Sequence, residues 1–399
     1  MKPRRILLSS KPSVLDDQSI VAQVDTLLAD AIAQRASDIH LEPTRATLRV
    51  RLRIDGILID QKPFIAQLSN AIIARFKILA SINSTERRIP QDGKFRLLHD
   101  NNEIDIRIST FPCLYGEKIV IRILDRTMQT IELDSLGLEQ SMLKTFKQLL
   151  NRHSGFFLVT GPTGSGKTTT LYAALSFLHN TEKNIVTLED PIEYSLDGIT
   201  QAQINPPTGF TFEKGIRSLV RQDPDIIMVG EIRDKITARI AIEAALTGHL
   251  VLSTLHTADA PSTLMRLMDM AIEPFLLNAA LSGVLAQRLV RKLCIHCKQQ
   301  RNATSEEKKI LEEIGINNTM LHESIGCDYC NGLGYKGRIG IFELLEISSA
   351  LRALVIQNPH CDTIYKQAVD DGMITLKQDG AHKVKDGIIS LAEYARVFL

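Results

Sequence analysis

The run Gly161-Pro-Thr-Gly-Ser-Gly-Lys167-Thr168 is the stretch whose residue types and spacing bear most directly on chemistry. It matches G-x-x-x-x-G-K-[ST], the phosphate-binding P-loop. Glycines let the backbone curl with its N–H groups turned inward on an anion, and a helix starting at the end of the loop adds its positive N-terminus. Lys167 is spaced to reach the β- and γ-phosphates of a nucleoside triphosphate, and Thr168 to offer a hydroxyl to Mg²⁺. The predicted nucleotide-binding residues are therefore Gly161, Pro162, Thr163, Gly164, Ser165, Gly166, Lys167, Thr168 and Thr169. The apolar run 156–160 reads as a buried strand and 169–178 as a helix, which is the context the motif requires.

Two further clusters supply carboxylates. The run Asp225-Ile-Ile-Met-Val-Gly230-Glu231 is an apolar strand ending in an acid. A carboxylate at a strand tip beside a P-loop holds the water shell of a metal or polarises an attacking water. Glu189-Asp190-Pro191-Ile192-Glu193 also follows an apolar strand, and its clustered charges are easier to tolerate near a cation. His249 and His256 bracket the apolar run 250–253. A histidine there senses a γ-phosphate, bonds the catalytic carboxylate, or is a satisfied structural residue. Arg217 and Arg221 lie four apart on a predicted helix, and Arg233 follows the Glu231 turn. These read as phosphate contacts within the chain, contacts to a neighbouring subunit, or surface ion pairs.

Cys294-Ile-His-Cys297 and Cys327-Asp-Tyr-Cys330 form two C-x₂-C pairs with 29 residues between them. Cys294, Cys297, Cys327 and Cys330 suit a tetrahedral structural Zn²⁺. A disulfide reading is weak in a cytosolic protein, and a redox motif needs only one pair. His296, inside the first pair, is a competing ligand. Cys113 and Cys361 have no such partner in the pattern.

The elements that must position these groups follow from length and periodicity. The chain has 399 residues, room for two or three domains. Its 47 Lys and Arg nearly cancel 46 Asp and Glu, leaving +1 and no electrostatic footprint for direct nucleic-acid contact. No run is long and apolar enough to span a bilayer. The best candidate, 271–290, is broken by Glu273, Pro274, Asn278, Gln287 and Arg288 and reads as a packed amphipathic helix. The basic N-terminus has too short an apolar run for a signal peptide. The expectation is a cytosolic protein with no direct membrane insertion. Residues 1–18 read as a flexible arm. A helix over 19–36, strands over 47–53 and 103–109, and a helix over 66–80 make a small α+β domain, 19–125. A linker over 126–140 leads to an α/β domain, 141–399, whose strands at 184–188, 225–229 and 250–253 alternate with helices, as in a parallel sheet. A cysteine-bearing subdomain spans 291–340 and helices fill 346–399.

These motifs in this order resemble the ATPases of type II secretion and type IV pilus assembly, the GspE/PilB group, from about residue 20 to the C-terminus. The carriers are Ala36-Ser-Asp-Ile-His-Leu-Glu-Pro43, Arg87-Arg-Ile-Pro-Gln-Asp-Gly93, Thr187-Leu-Glu-Asp-Pro-Ile-Glu193, the 221–234 segment around Glu231, and Thr247-Gly-His-Leu-Val-Leu-Ser-Thr-Leu-His-Thr257. The resemblance implies a PAS-like N-terminal domain and a RecA-like P-loop ATPase domain with a zinc-binding insert and C-terminal helices. It implies that Glu231 is the main catalytic carboxylate, that Glu189 and Glu193 arrange metal and water, and that His256 belongs to the same site. It implies a homo-hexamer in which the N-terminal domain closes over a neighbour's nucleotide and supplies arginines, for which Arg107 and Arg122 are the candidates. The family often has Arg where this chain has Lys94; lysine keeps the charge and loses the bidentate fork.

Relatives that retract pili or serve conjugation share the nucleotide motifs and lack the four cysteines, so the resemblance points to assembly. The implied cofactors are ATP, Mg²⁺ and Zn²⁺. The implied partners are an inner-membrane platform protein (GspF/PilC-like) and a GspL/PilM-like docking protein, which hold the chain peripherally at the inner membrane. With so little chain ahead of residue 20, no cyclic-dinucleotide site is expected. The alternatives are a DNA-uptake or conjugation-type translocation ATPase, and a regulatory nucleotide-binding protein without turnover. The joint presence of Lys167, Thr168, Glu231 and His256 weighs against the last.

Overall fold

Alternation is the rule in the first part of the chain. In 47–54 the residues Leu48, Val50, Leu52 and Ile54 are buried, while Arg49 and Arg51 between them turn outward to Asp60 and Glu42. The computed structural model describes residues 19–100, 102–125, 131–317, 319–357 and 360–399. The predicted arm, 1–18, and the 126–130 part of the predicted linker lie outside the described residues. The chain divides into two compact units at residues 129 and 130.

The first unit holds α1 (Ile20–Ala33), β1 (Asp38–Pro43), β2 (Thr47–Ile54), β3 (Ile57–Ile65), α2 (Ser69–Leu79), β4 (Gln91–His99), β5 (Asn102–Cys113) and β6 (Gly116–Asp125). The strands form one antiparallel sheet in the order β3-β2-β1-β6-β5-β4. Ser19 caps α1, which buries Val24, Leu27, Leu28 and Ala31; α2 buries Ile72, Ile73, Phe76 and Leu79. The two motif segments of this unit have local structural reasons. The 36–43 segment supplies β1, where Asp38 accepts from Arg122 at 2.9 Å and Glu42 from Arg51 and Lys118 at 2.8 Å each. In the 87–93 segment the Gln91 amide stitches the loop through Asn83 and Glu86. A Cβ at Gly93 would lie 2.8 Å from the Cβ of Ala80.

The second unit runs through α3 (Gln140–Leu150), β7 (Gly155–Thr160), α4 (Lys167–Leu178), β8 (Ile185–Glu189), β9 (Thr200–Gln203), α5 (Phe212–Leu219), β10 (Ile226–Val229), α6 (Lys235–Leu246) and β11 (Leu250–Leu255). It continues with α7 (Pro261–Asp269), α8 (Pro274–Ala280), β12 (Leu281–Leu293), β13 (Lys298–Asn302), α9 (Ser305–Glu313), β14 (Met320–Ser324) and β15 (Tyr335–Glu346). Four helices close it: α10 (Ser349–Ile356), α11 (Cys361–Asp370), α12 (Leu376–Lys385) and α13 (Leu391–Phe398). The sheet order is β15-β12-β7-β11-β10-β8-β9, parallel except for the antiparallel β12–β15 pair. Every residue of β7, β10 and β11 is buried, as expected for strands covered on both faces.

The predicted helix over 271–290 is corrected. Only Pro274–Ala280 is helical, and Leu281–Leu293 is a 13-residue strand. A strand buried on both faces shows no alternation, so periodicity cannot separate it from a buried helix. Pairing with β7 on one side and β15 on the other decides it. Both strands flanking the cysteines thus belong to the main sheet, and the loop-out between them carries α9 and the β13–β14 ribbon. Buried acids tie the last helices down. Asp379 pairs with Lys383 at 2.6 Å and accepts the Phe342 N–H, and Glu393 pairs with Arg291 and Arg396.

Glu42 makes the stability of the first unit depend on pH. Burial works to raise its pKa, but hydrogen bonds from Arg51 and Lys118 bring it down to about 2. The stability it adds is complete above its unfolded value near 4.5 and is shed as pH falls toward 2. Glu42→Gln should therefore melt below wild type at pH 7, with a gap that narrows as the melts are repeated from pH 5 down to pH 3. A gap independent of pH would remove the ion pairs from the explanation.

Candidate nucleotide site and metal cluster

The P-loop occupies the turn from β7 into α4. Gly161 has φ +145°, and a Cβ there would meet the Gln287 carbonyl oxygen at 2.4 Å. Gly166 caps α4 in the left-handed region at φ +90°. Both positions therefore demand glycine. Pro162, Thr163, Gly164 and Thr168 are exposed, Gly166 and Thr169 half-buried, and Ser165 and Lys167 buried. The Lys167 ammonium folds back on its own loop, donating to the carbonyls of Gly161 at 2.9 Å and Pro162 at 3.1 Å. Burial pushes it below its ordinary pKa; Glu231 works against that and Arg288 adds to it.

Three predicted groups converge here. Lys167 Nζ lies 3.4 Å from His256 Nδ1, and His256 Nε2 lies 3.6 Å from a Glu231 carboxylate oxygen. The tautomer with its proton on Nε2 fits both neighbours. The other Glu231 oxygen is held by Arg233, which also lies 3.7 Å from Asp190. The result is one chain of charge and polarity: Lys167, His256, Glu231, Arg233, Asp190. Side chains fix the strand ends that carry it. Ser253 and Thr254 donate to the Val229 and Gly230 carbonyls at 2.6 and 2.8 Å, and Thr257 meets Thr160 at 2.6 Å.

Other predicted residues have other partners. Glu189 is 3% exposed, and its carboxylate accepts from Tyr172, Thr187 and, at 3.1 Å, Gln201. Burial, with that carboxylate beside it, pushes the Tyr172 phenol well up. Glu193 is exposed. His249 bonds the Ala244 carbonyl at 2.8 Å and closes the end of α6. Arg217 pairs with Glu213 at 3.4 Å, and Arg221 donates to the Arg217 carbonyl. In the first unit, Arg107 and Arg122 face each other across β5 and β6, and Lys94 is the partner of Arg107 across β4 and β5. Lys94, Arg107 and Arg122 line one groove of about 500 Å³ with Asp92 and Ser109. Sequence reasoning missed Gln287, whose side chain reaches Ser165 and Thr170. Its signal was an uncharged amide inside an otherwise apolar run.

Cys294, Cys297, Cys327 and Cys330 come together with all four Sγ atoms within 4.8 Å of one another. Three of the Sγ–Sγ distances are 3.8 Å. A tetrahedron with metal–thiolate bonds of about 2.3 Å has edges of about 3.8 Å, so the donor set fits a tetrahedral metal. The Cys327 and Gly334 N–H groups point at Cys330 Sγ, both at 3.2 Å. His296 stacks on Tyr329, with ring centroids 4.0 Å apart.

The sequence profile of the Type II/IV secretion system protein family matches residues 13–396. The chain is 45% identical over 382 residues to the Type II secretion system ATPase E of Vibrio cholerae serotype O1, covering 96% of this chain and 76% of that protein. It is 46% identical over 382 residues to the Type IV pilus assembly ATPase PilB of Myxococcus xanthus, covering 95% and 68%. Among solved structures it is similar to the pilus retraction motor PilT with bound ADP, at 27% identity and a TM-score of 0.62, covering 93% and 95%. The ATPase DotB of Legionella pneumophila shares the fold at 22% identity and a TM-score of 0.69, covering 99% and 98%.

The cysteine geometry carries a prediction. The purified chain should hold one divalent metal per copy by elemental analysis, and Cys330→Ser should release it. Metal-free protein with all its thiols reactive would overturn the assignment.

Proposed function

The chain belongs to the Type II/IV secretion system protein family and is an ATP hydrolase; from that premise we propose how its residues divide the work and what the work drives. The P-loop N–H groups of 161–168 cradle the phosphates. Lys167 leaves the Gly161 and Pro162 carbonyls for the β- and γ-phosphate oxygens. Thr168 would hold Mg²⁺ through its hydroxyl, and the ion would supply neutralisation of phosphate charge. Glu231 orients the attacking water and takes its proton once Arg233 releases the carboxylate. His256 fixes the distance between Glu231 and Lys167. Glu189 acts through position, holding the end of β8 by way of Tyr172 and Gln201, and the exposed Glu193 is the acid of that loop free to meet a hydrated metal. The observation that carries this reading is the convergence of Lys167, His256 and Glu231 at the ends of adjacent parallel strands.

Arg107 and Arg122 act on a nucleotide held by a neighbouring copy, with Lys94 as a third cation that lacks the guanidinium fork. Such a role needs an oligomer, and a homo-hexamer is the proposed assembly. The metal of the cysteine cluster is Zn²⁺, which thiolates in a tetrahedron favour. Hydrolysis drives assembly of pilin or pseudopilin subunits through an inner-membrane platform protein, with a docking protein as a second contact. Both secretion and pilus-assembly relatives match at near-equal identity, which supports the shared step rather than one system. No helix of the described residues is long and apolar enough to cross a membrane, so membrane proteins supply the contact in this reading.

ATPase assays test the site. Glu231→Gln should keep ATP binding and lose turnover by about 10²-fold or more. Turnover equal to wild type would end the assignment of Glu231. Arg107→Ala combined with Arg122→Ala should lower kcat by about 10³-fold while leaving ADP binding by one isolated chain intact. Unchanged kcat would confine those arginines to the surface of their own sheet.

A further inference from the structure

Gln287 lies on β12, one residue beyond Ala286, which pairs with Thr160 at the end of β7. It therefore sits beside the start of the P-loop. Its side chain is 2% exposed, and both ends of the amide are used. Nε2 donates to the Ser165 carbonyl at 2.6 Å, and Oε1 accepts from Thr170 Oγ1 at 2.8 Å. Two glycines of the motif make room for it. A Cβ at Gly161 would be 2.4 Å from the Gln287 carbonyl oxygen, and a Cβ at Gly166 would be 3.1 Å from Nε2.

In a trans peptide the C=O and N–H point in opposite directions. The Ser165–Gly166 peptide is trans, so a Ser165 carbonyl drawn toward β12 turns the Gly166 N–H away from that strand. We propose that Gln287 is a positioning residue for phosphate binding: it clamps the Ser165 carbonyl and thereby aims the Gly166 N–H at the bound phosphate. Resting on the nucleotide reading of the P-loop, this adds a residue from outside the motif. The clamp sets the donor in place before the anion arrives, so its worth appears as affinity for phosphate.

The test compares Gln287→Leu and Gln287→Glu with Ser282→Ala in the full chain at pH 8. Ser282 also ties β12 to β7, donating to the Phe156 carbonyl at 3.0 Å away from the loop. Binding is read by titration with a fluorescent ADP analogue, and turnover by steady-state kinetics. Loss of one buried hydrogen bond from the clamp should weaken ADP by about tenfold and raise KM for ATP in proportion, with kcat at saturating ATP within about twofold of wild type. Ser282→Ala should lose thermal stability and keep wild-type ADP affinity. If Gln287→Leu does not fold, Gln287→Glu, which keeps the volume and the oxygen facing Thr170, decides alone. ADP affinity within about twofold of wild type in the Gln287 variants, or an equal loss in Ser282→Ala, overturns the proposal. Failure of the wild-type chain to bind the analogue overturns the nucleotide reading first, and the clamp with it.

Discussion

The parallel registration of four central strands is the constraint on which the site depends. Gly155 pairs with Leu250, Leu250 with Ile226, and Ile226 with Ile185. Strands so aligned run out at the same edge of the sheet. One residue beyond Thr160 the P-loop begins, one beyond Leu255 stands His256, and two beyond Val229 stands Glu231. Ligands in open α/β sheets bind at this carboxyl edge. Slipping one strand by a single residue would reverse every side chain on it and carry Glu231 or His256 away from Lys167. The hydroxyls of Ser253, Thr254 and Thr160 hold that register at the last residues, where a ladder would otherwise fray.

The strand β12 extends the same logic beyond the nucleotide. Its first half is pressed between β7 and β15, its middle sets Gln287 under the loop, and its end delivers Cys294 to the metal cluster. The cysteine segment is thus an excursion from one sheet strand that returns as its neighbour. Fixed strand ends let two short turns, 294–297 and 327–330, bring thiolates to tetrahedral spacing without a core of their own. The C-terminal helices are anchored to the same two strands by buried carboxylates that accept backbone N–H groups. Asp379 takes Phe342, Glu343 takes Ala260 and Leu376, and Glu393 takes Arg291. Buried acids of this kind do little for net stability, because desolvation offsets attraction, but they specify one docking geometry.

What was legible in the sequence is what is local. The P-loop, the acid at the end of an apolar run and the paired cysteines are each contained in a few residues, and the structure brings Lys167 and Glu231 to one strand edge and the four Sγ atoms together. The alternating strands of the first unit were legible because one face is wet. The 281–293 strand was not, because burial on both faces erases the alternation that marks a strand. The contacts of Glu189 and His249 were not legible, each for its own reason. Tyr172 and Gln201, which bond Glu189, lie on other elements and only the fold brings them into reach, whereas His249 bonds a carbonyl five residues earlier, at a helix end whose position the sequence did not mark. Gln287 shows the same limit from the other side. Its polarity read as an interruption in an apolar run, and its purpose depends on a loop more than a hundred residues earlier in the sequence.

The electrostatics of the site explain why a polyanion belongs there. Lys167 is buried and surrounded by neutral carbonyls, with a histidine ring between it and the nearest carboxylate. That carboxylate, Glu231, is already engaged by Arg233. The downward pull on the Lys167 pKa is the signature of a cation whose charge is under-compensated in a partly dry setting. Two carbonyl oxygens and a ring nitrogen satisfy its donors without neutralising it. Phosphate oxygens would do both, and they would arrive where the loop N–H groups and the N-terminus of α4 already favour negative charge. The same arrival places new negative charge beside Glu231. Repulsion between that charge and the carboxylate is bearable only with cations between them, and Lys167, Arg233 and a metal at Thr168 are the candidates within reach. In the proposed mechanism, binding and catalysis are linked through the partners of one carboxylate: what loosens Arg233 from Glu231 also decides whether the carboxylate can face water.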